Sequence, residues 1–152
     1  LLGLEAIALF AIAFLLIRVE DQGQWWALTL LLTIWVADVG AYFSGKTFGK
    51  HKLAINISPG KTWEGVVGAQ LFVAIFAVAV AQYLPIAWQK AIWVFPLVAL
   101  FSVVGDLAAS LGKRQAGVKD SSNLLPGHGG FVDRFDSLIA AAPLYLLLLF
   151  VL

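Results

Sequence analysis

Residues 110–136 read SLGKRQAGVKDSSNLLPGHGGFVDRFD, a polar stretch set between long apolar runs. It holds Lys113, Arg114, Lys119, Asp120, Asp133, Arg134 and Asp136, and Asp106 stands just upstream. Elsewhere the chain is poor in charge: of 152 residues, 61% are hydrophobic and only 12% charged, with a mean hydropathy of +0.92. A soluble domain carries about 25% charged residues, and a soluble fold of this length could not hide so much apolar surface. The contrast between residues 110–136 and their flanks therefore predicts an integral membrane protein.

A membrane-crossing helix needs roughly 20 mostly apolar residues, within a range of about 17–25. Five segments meet or approach that length: Leu1–Ile17, Trp25–Phe43, Trp63–Leu84, Ala91–Leu111 and Ser137–Leu152. The expected fold is all-α, a polytopic bundle of about five transmembrane helices. Two polar loops interrupt it, Gly45–Thr62 and Gly112–Asp136. Residues 1–152 read as a single transmembrane domain. The chain starts at Leu1 inside an apolar run, without a basic n-region or small-residue cleavage site. We expect it to be the C-terminal portion of a longer protein rather than to carry a signal peptide.

Lys and Arg in short loops favour the cytoplasm. Lys46, Lys50, Lys52, Lys61, Lys113, Arg114, Lys119 and Arg134 fall on one side, and Arg18 and Lys90 on the other. The bias predicts a multi-pass protein of the inner (cytoplasmic) membrane with both polar loops in the cytoplasm. It fixes a side and nothing more. The absence of cysteine excludes disulfides, thiolate catalysis and Cys-type zinc sites.

Chemistry is expected where charge enters the apolar spans. Asp38 and Asp106 do so, and an ionised carboxylate at mid-bilayer costs about 2.5–3.5 kcal/mol on insertion scales. Trp35, Asp38 and Tyr42 share one helix face, as do Asp106, Ser110 and Lys113. Asp133 and Asp136 share another, where the last loop enters the last helix. Carboxylates converging from different helices suit Mg²⁺, which takes few protein oxygens and leaves room for phosphate. Lys113, Arg114, Lys119 and Arg134 would supply positive charge for phosphate oxygens. The plainer reading is a set of buried aspartates matched with Lys or Arg to fix helix packing. In Pro126-Gly127-His128-Gly129-Gly130 the glycines suggest unusual backbone conformations or close backbone approach to a ligand. His128 fits a structural hydrogen bond and a catalytic role equally.

Gly40–Thr47, GAYFSGKT, matches the pattern G-x-x-x-x-G-K-[ST] letter for letter. A phosphate-binding loop needs a strand before it and a helix after it. Here an apolar helix precedes it and Tyr42 and Phe43 fill the part that should be small, so the match reads as accidental. Ser58-Pro59-Gly60-Lys61-Thr62-Trp63-Glu64-Gly65 reads instead as a helix entry, with a Pro-Gly turn, Thr62 as cap and Glu64 at the positive end. Lys61 there is either a phosphate contact or a solvated lysine.

Ser110-x-x-Lys113-Arg114-x₄-Lys119-Asp120, followed by Pro126-Gly127-His128-Gly129-Gly130-x-x-Asp133-Arg134-x-Asp136, closely resembles the signature of phosphatidate cytidylyltransferases, the CDP-diacylglycerol synthases. Trp35-x-x-Asp38-x-x-Ala41-Tyr42 and Ser58–Thr62 look like further motifs of that family, so the likeness runs from about residue 35 onward. Gly112 departs from it, standing where the family has an apolar residue. The resemblance implies transfer of CMP from CTP to phosphatidate, giving CDP-diacylglycerol and pyrophosphate, with Mg²⁺ and an optional second cation. It implies Asp106 and Asp133 as metal ligands assisted by Asp136 and Asp120. Phosphate binding would fall to Ser110, Lys113, Arg114, Lys119 and Arg134. Asp38, Lys61, His128, Gly129 and Gly130 complete the expected substrate-binding set. Expected partners are CTP, phosphatidate and the lipid bilayer, with no nucleic acid and a homodimer as an admissible assembly.

Two rivals remain at this level. A cation-coupled membrane transporter would use the intramembrane aspartates as its ion path, and would place ionisable groups near mid-span. A CDP-alcohol phosphotransferase would need a D-G-x-x-A-R pattern, which the chain lacks.

Overall fold

A computed structural model describes residues 2–115 and 136–151. Five helices and one small hairpin make up this part: α1 (Leu2–Val19), α2 (Gly23–Phe48), β1 (Lys52–Ala54), β2 (Ser58–Thr62), α3 (Trp63–Val80), α4 (Trp88–Gln115) and α5 (Asp136–Leu146). A π-helical turn, Leu147–Val151, continues α5. The molecule is an all-α membrane helix bundle. Among the described residues, α2, α3 and α4 are long and apolar enough to cross a membrane, and Asp136–Val151 is a shorter apolar helix.

Two helices, α2 and α4, run longer than the apolar segments that announced them. At 26 residues, α2 spans about 39 Å at 1.5 Å per residue, more than the ~30 Å hydrocarbon layer. Its final turn carries Lys46 into polar surroundings, and the Gly49 amide still donates to the Gly45 carbonyl at 3.0 Å. Residues 45–48, expected in a loop, are therefore helical. In the same way α4 begins at Trp88 and continues past Gly112 to Gln115. Hydropathy marks where a helix meets lipid, whereas backbone hydrogen bonding decides where it stops. The third span is shorter than expected, ending at Val80 with a turn before Pro85.

Consecutive helices pack antiparallel, α1 with α2, α2 with α3, α3 with α4 and α4 with α5, and α1 also lies against α5. Large apolar side chains such as Leu71 and Ile75 on α3 point outward, as a lipid-facing surface requires. Inside, an aromatic ladder crosses three helices: Phe76 meets Phe95 edge-on at 6.1 Å, and Phe95 meets Tyr145 at 5.8 Å. Tyr145 is fully buried, and its hydroxyl pairs with Thr29 Oγ1 at 2.6 Å, which also donates to the Trp26 carbonyl. Tyr145→Phe leaves Thr29 its backbone partner, so a loss of only about 0.5–1.5 kcal/mol is expected by chemical unfolding in detergent. At the same end Lys90 Nζ donates to the Leu149 carbonyl at 3.1 Å, tying the start of α4 to the π-helical turn.

Small residues let α2 and α3 close on each other. A Cβ at Gly68 would lie 1.9 Å from Ser44 Oγ, and one at Gly40 would meet Phe72 and Ala69 near 3.0 Å. On α4, a Cβ at Gly105 would fall 2.3 Å from that of Ala140 on α5. The P-loop-like octad Gly40–Thr47 lies wholly inside α2, so its first glycine serves helix packing and no phosphate loop exists there.

Candidate active site

One end of the bundle gathers the C-terminal halves of α2 and α4, the N-termini of α3 and α5, and the hairpin. The hairpin grows from the α2–α3 connection, where the sequence predicts a polar loop. Its strands pair antiparallel, Lys52 opposite Thr62 and Ala54 opposite Ser58, with an irregular register between. At its base Thr62 caps α3 as expected: its backbone is extended, and its Oγ1 accepts from the Gly65 amide at 3.1 Å. That cap fixes where β2 ends and points the preceding residue, Lys61, towards α4.

There the Lys61 ammonium forms an ion pair with Asp106 Oδ2, both side chains being about a third exposed or less. The two line a cavity of about 230 Å³ together with Asp38, Tyr42, Thr62, Ser102 and Ser137. Asp38 lies within electrostatic range of both Asp106 and Lys61. Three charged groups from α2, β2 and α4 thus converge on one chamber. Ala37, Ala41, Val66 and Val103 give that chamber its apolar walls. Ser102, one helical turn before Asp106, is buried and donates to the Ala99 carbonyl at 2.7 Å, leaving its lone pairs free to accept.

A second ion pair stands beside the first. Lys113, near the end of α4, donates to Asp136 Oδ2 at 2.7 Å, and Asp136 is buried at the first position of α5. Its neighbour Ser137 reaches the cavity wall. Ser110 is half-buried on α4 and Arg114 is exposed at its penultimate position. Lys119, Asp120, His128, Gly129, Gly130, Asp133 and Arg134 lie outside the described residues.

The donor set suits a hard divalent cation. Asp38 and Asp106 present two carboxylates to one chamber, and Mg²⁺ is held by one or two carboxylates with water or phosphate completing its shell. Among the described residues no group of three His, Asp or Glu side chains forms a ready cage. An open shell that a substrate phosphate completes fits that arrangement.

Sequence reasoning passed over Ser102 and Ser137, although Ser102 stands four residues before Asp106 and so on its face. It also passed over a contact between His51 and Glu64. The His51 amide donates to both Glu64 carboxylate oxygens at 3.2 Å, and His51 Nδ1 lies 2.6 Å from Oε1.

A membrane helix bundle with a carboxylate- and lysine-lined chamber at its basic end has known relatives. The chain belongs to the cytidylyltransferase family, whose model matches residues 1–152. It is 51% identical to the phosphatidate cytidylyltransferase of Pseudomonas aeruginosa over 125 residues, 80% of this chain and 46% of that protein. The enzyme of the same name from Haemophilus influenzae is 44% identical over 130 residues, covering 82% and 45% of the two chains. That of Staphylococcus saprophyticus is 39% identical over 151 residues, covering 96% and 57%. The chain spans about half the length of these curated relatives.

Proposed function

We propose that this chain carries the catalytic part of a phosphatidate cytidylyltransferase. It would transfer CMP from CTP to phosphatidate, giving CDP-diacylglycerol and pyrophosphate. The observation that carries this reading is the convergence of Lys61, Asp106 and Asp38 on one chamber at the basic end of the bundle. The names of the relatives supply the substrates.

Phosphatidate already bears a nucleophilic phosphate oxygen, so no Ser or Cys nucleophile is required. That oxygen forms a new bond to the α-phosphorus of CTP. The bond from the α-phosphorus to the oxygen bridging to the β-phosphorus breaks, and pyrophosphate departs with the electron pair. Protein work in such a transfer is positioning and charge neutralisation. Asp106 and Asp133 would hold Mg²⁺, with Asp120, Asp136 and the cavity-lining Asp38 in support. When bound, the cation offsets charge developing on the phosphate oxygens. Lys61, facing the same chamber, would pass from Asp106 to a phosphate oxygen. Ser110, Lys113, Arg114, Lys119 and Arg134 would hold the remaining phosphate charge, and His128, Gly129 and Gly130 would contact the substrate from the loop. The lysine and arginine bias puts this end at the cytoplasmic face, where a soluble nucleotide meets a lipid whose chains stay in the bilayer.

The test uses the full-length parent in detergent with labelled CTP, phosphatidate and Mg²⁺. Labelled CDP-diacylglycerol and pyrophosphate should form in equal amounts. No labelled lipid under any divalent cation would sink the proposal.

A further inference from the structure

The β1–β2 hairpin has too little of its own to stand on. Its strands are three and five residues long with a break in register, and an isolated two-stranded hairpin is marginal in water. Among the described residues Gly60, next to Lys61, has no neighbour within 4 Å of where a side chain would begin. Yet Lys61 is delivered accurately enough to pair with Asp106 across the chamber. Something at the base of the hairpin must hold its aim.

Two ties do so, and both run through His51. The Trp63 amide donates to the His51 carbonyl at 3.0 Å. In return the His51 amide and Nδ1 both engage the Glu64 carboxylate, at 3.2 Å and 2.6 Å. His51 is the residue immediately before β1, and Glu64 lies in the first turn of α3. The carboxylate therefore joins the incoming strand to the helix that the outgoing strand enters. With Thr62 capping the same helix, Lys61 is flanked by two fixed points. A carboxylate accepting charge-assisted bonds suits such a joint better than a neutral acceptor.

We propose that Glu64 and His51 are positioning residues that set the aim of Lys61 into the chamber. They touch no substrate and act through the hairpin. The functional half of this inference rests on the reading of Lys61 as a phosphate contact, whereas the mechanical half does not.

The experiment separates the two. The chain has no cysteine, so spin labels can be placed at Asn56→Cys on the hairpin and Leu111→Cys on α4. These go into the full-length protein, with any cysteine elsewhere replaced. Double electron–electron resonance should give a narrow distance distribution in the parent and in Glu64→Gln, which keeps an acceptor oxygen. In Glu64→Ala it should broaden about two-fold or more. An unchanged distribution in Glu64→Ala overturns the clamp. In parallel, unlabelled Glu64→Ala should raise KM for CTP roughly ten-fold, the effect of one charge-assisted contact, with Glu64→Gln restoring most of it. On a Lys61→Met background Glu64→Ala should add nothing further, since contacts acting as one unit are non-additive. Full additivity overturns the link to Lys61. If the parent makes no CDP-diacylglycerol, the proposed function fails, and the distance measurement still decides the clamp.

Discussion

On the proposed function, Asp106→Asn in the full-length protein should lower kcat/KM for CTP by roughly 100-fold or more, the scale of losing one preorganised charge at a reacting centre. The same variant should barely change thermal stability. Its partner Lys61 and Asp106 itself are each partly open to solvent, and such pairs contribute about 0–1 kcal/mol. The two readouts divide the functional role from the plainer one, in which the aspartate only matches a lysine to fix packing. A stability loss of several kcal/mol with turnover intact would reverse the assignment. Asp136→Asn makes a useful contrast. Asp136 is buried against Lys113, and breaking a buried pair costs more than breaking a solvent-exposed one.

Gly68→Val should be the most damaging substitution outside the chamber. Even the first added carbon would lie 1.9 Å from Ser44 Oγ and 2.3 Å from Ser44 Cβ, far inside contact distance. Overpacking by a methylene costs about 1–3 kcal/mol, and a β-branched side chain in this seam should exceed that range. Either the two helices separate or α3 turns. In both cases Asp38 and Tyr42 on α2 lose their registration with Lys61 and Thr62 across the chamber. Rescue gives the sharper test: Gly68→Ala alone should also lose melting temperature, and adding Ser44→Gly, which removes both obstructing atoms, should recover most of that loss. Failure of the double variant to recover would mean that the seam is not where the strain arises.

Hydropathy made the bundle legible because a bilayer leaves the chain few choices. Charge bias likewise picked out the end of the bundle where Lys61, Asp38 and Asp106 meet. The hairpin escaped notice for a physical reason. Its strands have no alternating apolar pattern, and Ser58-Pro59-Gly60 reads as a turn, so only pairing with β1 makes it a strand. The His51–Glu64 joint escaped for the same reason: thirteen residues separate the partners, and nothing local in either signals the other. Gly40–Thr47 shows the opposite error that a pattern can invite. Its letters fit a phosphate loop, while the conformation that would give them meaning is absent from a continuous helix. Half of the expected site, from Lys119 to Arg134, lies outside the described residues.

The two-stranded sheet also works as a depth gauge. Among the described residues each strand pairs on one side only, and an outer row of unpaired amides and carbonyls is one that hydrocarbon cannot satisfy. Those rows must stay among headgroups or water, and the hairpin is joined directly to α3 and, through Lys61, to α4. The bundle therefore cannot sink further without dragging bare peptide groups into oil, nor rise without lifting its greasy flanks out of it. That limits how deep the mouth of the chamber can lie, and on the proposed function it is there that a water-soluble reactant would meet a bilayer-bound one.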